Sequence, residues 1–295
     1  MAGVVFVAAL AWYLEPAAIL AALRSASPVP LAVTVALTAA GFWIRAWKWR
    51  YALGKGRHAV GLFFIAKMAG HWSPGRVGEL SPLLLRRHRN VRVAAWILAD
   101  RAIEVATTLS LGFFGVAALG LAPWWLAALL FAALMAGLVA VVVVRLPRGD
   151  DTGTWLARGW RLLAELHDES RALGAKGPVI LASTILAKVT DVVGVVYLCR
   201  AFGYTVSFLL VCVARCAHAI VSGVPVTPDA TGIPFAAAGY FLHTHGGMPV
   251  ETLVAAFGIE VAIINVVLYI SFFLGMLDMR GSIQEGGRGH DHSAR

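Results

Sequence analysis

The chain has 295 residues, of which 59% are hydrophobic and 14% charged, against about 45–50% and about 25% in ordinary globular domains. That balance excludes a soluble enzyme, a disulfide-stapled secreted module and a nucleic-acid reader, and it implies a bilayer, with room for about six to eight spans of roughly 20 residues each. The formal net charge of +9 then reads chiefly as cytoplasmic loop charge facing anionic headgroups.

The first apolar run, roughly 3–23, is interrupted at Glu15-Pro16. No Lys or Arg precedes it, so it reads as a membrane element and not as a cleaved signal peptide. A second run, from about Pro30 to Arg50, ends in the aromatic-basic cluster Trp43, Arg45, Trp47, Lys48, Trp49, Arg50 and Tyr51, which suits the headgroup boundary. Two half-length pieces follow, about 59–72 and 80–85, hinged on Ser73-Pro74-Gly75-Arg76-Val77-Gly78-Glu79; each is too short to cross. Long runs at about 93–119 and 123–145 meet at the uncharged turn Gly120-Leu121-Ala122-Pro123. The segment 145–177 mixes charges with apolar residues at helical spacing and predicts an amphipathic helix on the membrane surface. Next come a span at about 178–200, a run at 207–224, the turn Val226-Thr227-Pro228-Asp229-Ala230-Thr231-Gly232, a short piece at 233–245 and a final span at about 250–277. The polar tail 281–295 reads as disordered. Cys199, Cys212 and Cys216 sit on apolar stretches without ligand spacing and read as buried small hydrophobes.

The second half repeats the grammar of the first. Pro74 and Gly78 align with Pro228 and Gly232, each pair following a small hydroxyl residue, Ser73 or Thr227. The chain therefore reads as one integral membrane domain over 1–295, made of half-repeats 30–119 and 178–277 joined by the 145–177 linker. It is an all-α polytopic protein with about six full spans and two re-entrant helical hairpins. Weak repeats with interrupted helices at matching places point to a transport site. Charge bias orients them: Arg50, Lys55 and Arg57 precede the first hairpin, and Arg86, Arg87, Arg89 and Arg92 follow it, so both its ends are expected in the cytoplasm. The second half then comes out inverted, with both termini cytoplasmic and the chain in the plasma membrane.

Ionisable residues at membrane depth are candidate functional groups. Arg76 is suited to bidentate contact with phosphate oxygens, and Glu79 to balancing its charge when the site is empty; the alternative is an Arg76–Glu79 pair that pins the hairpin. Pro74, Gly75 and Gly78, with Pro228 and Gly232, are the hinges. Asp100 and Glu104 are i,i+4 on one helix face, with Arg101 one step round. Lys188 and Asp191 are i,i+3 near the centre of a span; they either neutralise each other or serve as a gating pair. His243-x-His245 and the tail histidines His290 and His292 fall short of a metal site. No HExxH, GxSxG or P-loop signature is present, so neither enzymatic activity nor a cofactor is expected.

Taken together, the Trp47-Lys48-Trp49-Arg50 span end, the SPGRVGE hairpin, the Arg86-Arg87 step, the Asp100-Arg101-x-x-Glu104 helix start and the later Pro-x-x-x-Gly turn resemble the lysylphosphatidylglycerol synthase transmembrane region family, also called flippase-like domain proteins. The resemblance covers nearly the whole chain. It implies a membrane region that moves lipids between leaflets, with Arg76, Glu79, Arg86 and Arg101 toward the headgroup and Asp100, Glu104, Lys188, Asp191 and Asp229 as gating or paired charges. In that family a separate soluble domain transfers the amino acid; roughly fifteen polar residues follow the last span here, so synthase activity is not expected. Departures from the family pattern are Asp100-Arg101 with Glu104 where Glu-Arg with Asp is usual, Asp229 in place of a later acid, and Glu260 where an Arg is usual. The expected ligand is a membrane lipid, anionic or polyprenyl-linked. The alternative reading is a non-transporting partner of a lipid-modifying enzyme. The sequence leaves the oligomeric state open.

Overall fold

A computed structural model describes residues 16–54, 58–73, 77–84, 91–143, 164, 165, 168, 174–223 and 233–288. Among these residues every regular element is helical. Helix α1 (Pro16–Ser25) starts at the proline that interrupts the first apolar run, because a first-turn residue needs no N–H. Helix α2 (Pro28–Leu53) follows Ser27, which is extended. It stops at Gly54, whose φ of 106° lies in the region that favours glycine and whose N–H reaches Arg50 O at 3.1 Å. The first hairpin is α3 (His58–Trp72) and the 3-10 helix Val77–Leu84; α4 (Val91–Ala118) ends the first half, and α5 (Trp124–Val143) follows it. A 3-10 turn, Gly174–Lys176, leads into α6 (Gly177–Ala201). The second hairpin is α7 (Phe208–Ser222) and α8 (Ile233–Thr244), and α9 covers Val250–Arg288.

Four of these are long and apolar enough to cross a membrane: α2, α4, α6 and Val250–Gly275 of α9. The expected six full spans are thus not all present among the described residues. Most of the first run precedes Pro16, and α1 has only 10 residues. The run at 123–145 forms α5 but counts only as a shorter apolar helix over Trp124–Gly137, whereas the run at 207–224, the first arm of the expected second hairpin, forms α7 with 15 residues, a rise of about 22 Å against a hydrocarbon core of about 30 Å. The end of α9 is also corrected. The helix continues through residues 281–288, where a disordered tail was expected; no proline intervenes, and a formed helix gains one backbone bond per added residue. The expected surface helix at 145–177 lies largely outside the described residues. Its final residue but one, Lys176, donates to Tyr51 O and Ala52 O, both at 2.9 Å, tying the linker to the last carbonyls of α2.

The first spans of the two halves pack against each other, and they run antiparallel. Ser27 N meets Ala201 O at 2.7 Å, Thr34 Oγ1 meets Gly194 O at 3.2 Å, and Lys48 Nζ meets Thr184 Oγ1 at 3.0 Å, so one number falls as the other rises. At mid-length Gly41 faces α6: a Cβ there would stand 3.1 Å from Thr190 Oγ1 and 3.7 Å from Ala187 O. The last span of each half lies on the first hairpin arm of the other, α4 on α7 and α9 on α3, and exchanging the spans and hairpin arms of the halves leaves their mutual neighbours unchanged; the α4–α5 and α1–α9 contacts fall outside that exchange. Small residues permit the α4–α7 approach, since a Cβ on Gly112 would fall 2.2 Å from Cys216 Cβ. The three cysteines are buried and free, as small core residues.

The aromatic-basic end of α2 is not wholly at a headgroup boundary. Trp43, Trp47 and Arg50 face outward, whereas Ala46, Lys48, Trp49 and Ala52 are buried, at the i,i+3,i+4 spacing of one helix face. Trp49 meets Phe63 edge-on at 5.6 Å and Trp96 at 6.3 Å, in the core of the first half. Val195, Val211, Cys212, Leu242 and Met248 form the corresponding core of the second.

Candidate functional site

A cavity of about 160 Å³ lies between the halves, at the middle of the antiparallel α2–α6 pair. Its described lining includes five cations (Arg45, Lys67, Arg101, Lys188 and Arg215), four carboxylates (Glu79, Glu104, Asp191 and Glu260) and the imidazoles of His71 and His218. Charges withdrawn from water this far must be compensated locally, because the desolvation cost of an isolated ion is several kcal/mol.

In the first half the compensation centres on Glu104. Its Oε1 is 3.3 Å from Arg45 Nε and 3.7 Å from Lys48 Nζ, and its Oε2 is 3.3 Å from Lys67 Nζ. Lys48 is completely buried; it also meets Asp100 Oδ1 at 2.5 Å and donates to Thr184. Trp49 Nε1 donates to Asp100 Oδ2 at 2.7 Å. Lys67 shares itself between Glu104 and Glu79 Oε1, the latter at 3.2 Å. In the second half the relation is reversed. The guanidinium of Arg215 bonds Glu260 Oε1 directly and meets Asp191 Oδ1 at 3.3 Å.

Of the residues expected at the site, Glu79, Arg101, Glu104, Lys188 and Asp191 line this one cavity. Asp100 stands behind it, 2% exposed, with Lys48 and Trp49 as partners. Glu79 pairs with Lys67, and Asp191 meets Arg215 on α7. Gly78, expected as a hinge, is a packing requirement: its N–H donates to Ser73 Oγ at 2.7 Å, and a Cβ there would lie 2.2 Å from Ala69 O. Pro74, Gly75, Arg76, Arg86, Pro228, Asp229 and Gly232 lie outside the described residues. Sequence reasoning missed Lys67 and Arg215 altogether and placed Arg45 and Lys48 at the headgroup boundary. It singled out Glu260 only as a departure from a pattern. The available signal was a lone cation within a short apolar run, in Phe64-Ile65-Ala66-Lys67-Met68 and again in Val213-Ala214-Arg215-Cys216.

Fold and site together define a polytopic α-helical membrane protein whose two halves enclose a charged cavity at span depth. The chain matches the model of the lysylphosphatidylglycerol synthase TM region over residues 1–275. It belongs to that family, which marks it as a membrane protein of lipid-related function. Comparison with curated proteins and with solved structures gives no match.

Proposed function

We propose that the protein is a lipid translocase of the plasma membrane, moving an anionic phospholipid or a polyprenyl-linked amphiphile between leaflets. The observation that carries this reading is the cavity at the α2–α6 crossing, to which both halves contribute cations. Its volume is below the roughly 300 Å³ of pockets for drug-sized ligands, which suits a headgroup whose chains stay in the bilayer. The antiparallel first spans and the exchange-symmetric packing support an inverted repeat, the architecture in which rocking of two halves exposes a midplane site to either side. Arg101, with Arg76 in the hairpin turn, contacts the headgroup in this reading. No bond-making step is assigned to the protein.

Exchange of labelled lipids in proteoliposomes tests it. Wild-type protein should accelerate exchange over empty vesicles, and Arg76→Ala and Arg101→Ala should each slow it at least fivefold. Equal rates in all four samples would sink the translocase reading. A lipid-modifying enzyme that co-purifies with the protein, and fails without it, would then favour the partner role. Reporter fusions test the topology: both termini should report cytoplasmic.

A further inference from the structure

We infer that Lys48, Asp100 and Thr184 form a wettable gate across one end of the cavity, and that the gate is shut in the conformation described. On α2 the cavity lining runs from Thr34 to Arg45, and Lys48, the next residue on that face, is completely buried. On α6 the lining begins at Lys188, and Thr184, one turn earlier, is 1% exposed. On α4 it begins at Arg101, beside the buried Asp100. The lining of these three helices thus stops where the three buried side chains meet: Lys48 Nζ is 2.5 Å from Asp100 Oδ1 and 3.0 Å from Thr184 Oγ1. Trp49, bonded to Asp100, continues the seal into the apolar core with Phe63 and Trp96. That core lies toward the ends of α2 and α6 that Lys176 ties together, the side expected in the cytoplasm.

Two properties distinguish this cluster from plain packing. It is shared: Lys48 and Asp100 belong to the first half and Thr184 to the second, so parting the halves at this end breaks the Lys48–Thr184 bond. It is also polar. A permanent seal between helices is held most firmly by apolar side chains, because the desolvation of a buried ion pair is only partly offset by the attraction within the pair. When water enters, Lys48 and Asp100 regain hydration, which lowers the free energy of the open form; an apolar seal of the same shape gains nothing from wetting. The inference rests on the proposed function for the motion of the halves, but opening of the gate is measured without lipid transport.

The reporter is Ile180→Cys. Ile180 lies one turn beyond Thr184, is 2% exposed and belongs to the core behind the gate. In the full chain in lipid nanodiscs, where a hydrophilic maleimide reaches both sides, its alkylation is read above that of the parent with its three buried cysteines. Thr184→Val removes the tie between the halves and keeps both charges; it should speed alkylation at least threefold. Lys48→Met combined with Asp100→Asn removes both charges together, and the Asn still offers Trp49 an acceptor. This double variant should unfold no earlier than Lys48→Met alone, slow alkylation at least tenfold and slow lipid exchange in vesicles at least fivefold. A cluster that only holds helices together predicts faster alkylation in both variants, since each loses bonds; that result, or no shift in either, overturns the inference. So does an Ile180→Cys that stays unreactive in the otherwise wild-type chain, an outcome that needs neither variant to fold. Absent exchange with the two opposite shifts in alkylation removes translocation and leaves the gate; exchange without those shifts removes the gate and leaves translocation.

Discussion

The two halves place a cation from a hairpin arm against a glutamate of the span that follows: Lys67 with Glu104 in the first, Arg215 with Glu260 in the second. The surroundings of the two pairs are opposite. Glu104 is one carboxylate among three cations, while Arg215 is one cation between two carboxylates. Matching elements of the two halves thus carry charged groups at comparable positions with a different balance.

The largest test of that difference is Lys48→Met. It strips the first cluster of its most buried cation and leaves Asp100 and part of the Glu104 charge uncompensated, at a cost of about 3–5 kcal/mol. Thermal unfolding in detergent should show the variant unfolding well below wild type, if it accumulates at all. A cost under about 1 kcal/mol would mean that the first cluster is as solvated as a surface pair. In the second cluster, Glu260→Gln removes one charge-assisted bond but leaves Arg215 with Asp191, so about 2 kcal/mol is expected. A loss equal to that of Lys48→Met would erase the distinction between the clusters. Packing offers a milder contrast. Gly112→Ala puts a Cβ 2.2 Å from Cys216 Cβ across the α4–α7 contact, an overpacking worth about 1–3 kcal/mol. At the equivalent α9–α3 contact, Gly275→Ala meets Gly61 Cα at 3.4 Å, an ordinary contact, and should cost under about 1 kcal/mol. Reversal of that order would show that the two interfaces differ from the arrangement described.

Hydropathy and the paired proline–glycine breaks made the helices legible, because lipid permits only helical or enclosed backbone and helix ends follow directly. The four long spans and both short-helix pairs fall within a few residues of their expected limits. The charged network was less visible, since it depends on rotation about helix axes. Arg45 and Lys48 were assigned with Trp43 and Trp47 because they are neighbours in sequence, whereas the helix sends them to opposite faces. The 45, 48, 49, 52 spacing contained that information. Lys67 and Arg215 resembled residues that reach for the interface from a short helix; only the packing of each hairpin arm against the opposite half turns them inward. Asp191 reads as half of an i,i+3 pair with Lys188, and nothing local in the sequence could name Arg215, 24 residues later, as a group that also reaches it.

The approach of Gly41 to Thr190 has a mechanical meaning. In the proposed rocking motion this mid-length contact would serve as the fulcrum, so it would shift less than the span ends. Pro28 lies thirteen residues away along α2, an arm of about 20 Å, and a rotation of about 10° shifts that end by about 3.5 Å while the fulcrum hardly moves. A bulkier residue at Gly41 would press on Thr190 and on the Arg45 guanidinium, and would hinder such a rotation from the inside of the cavity.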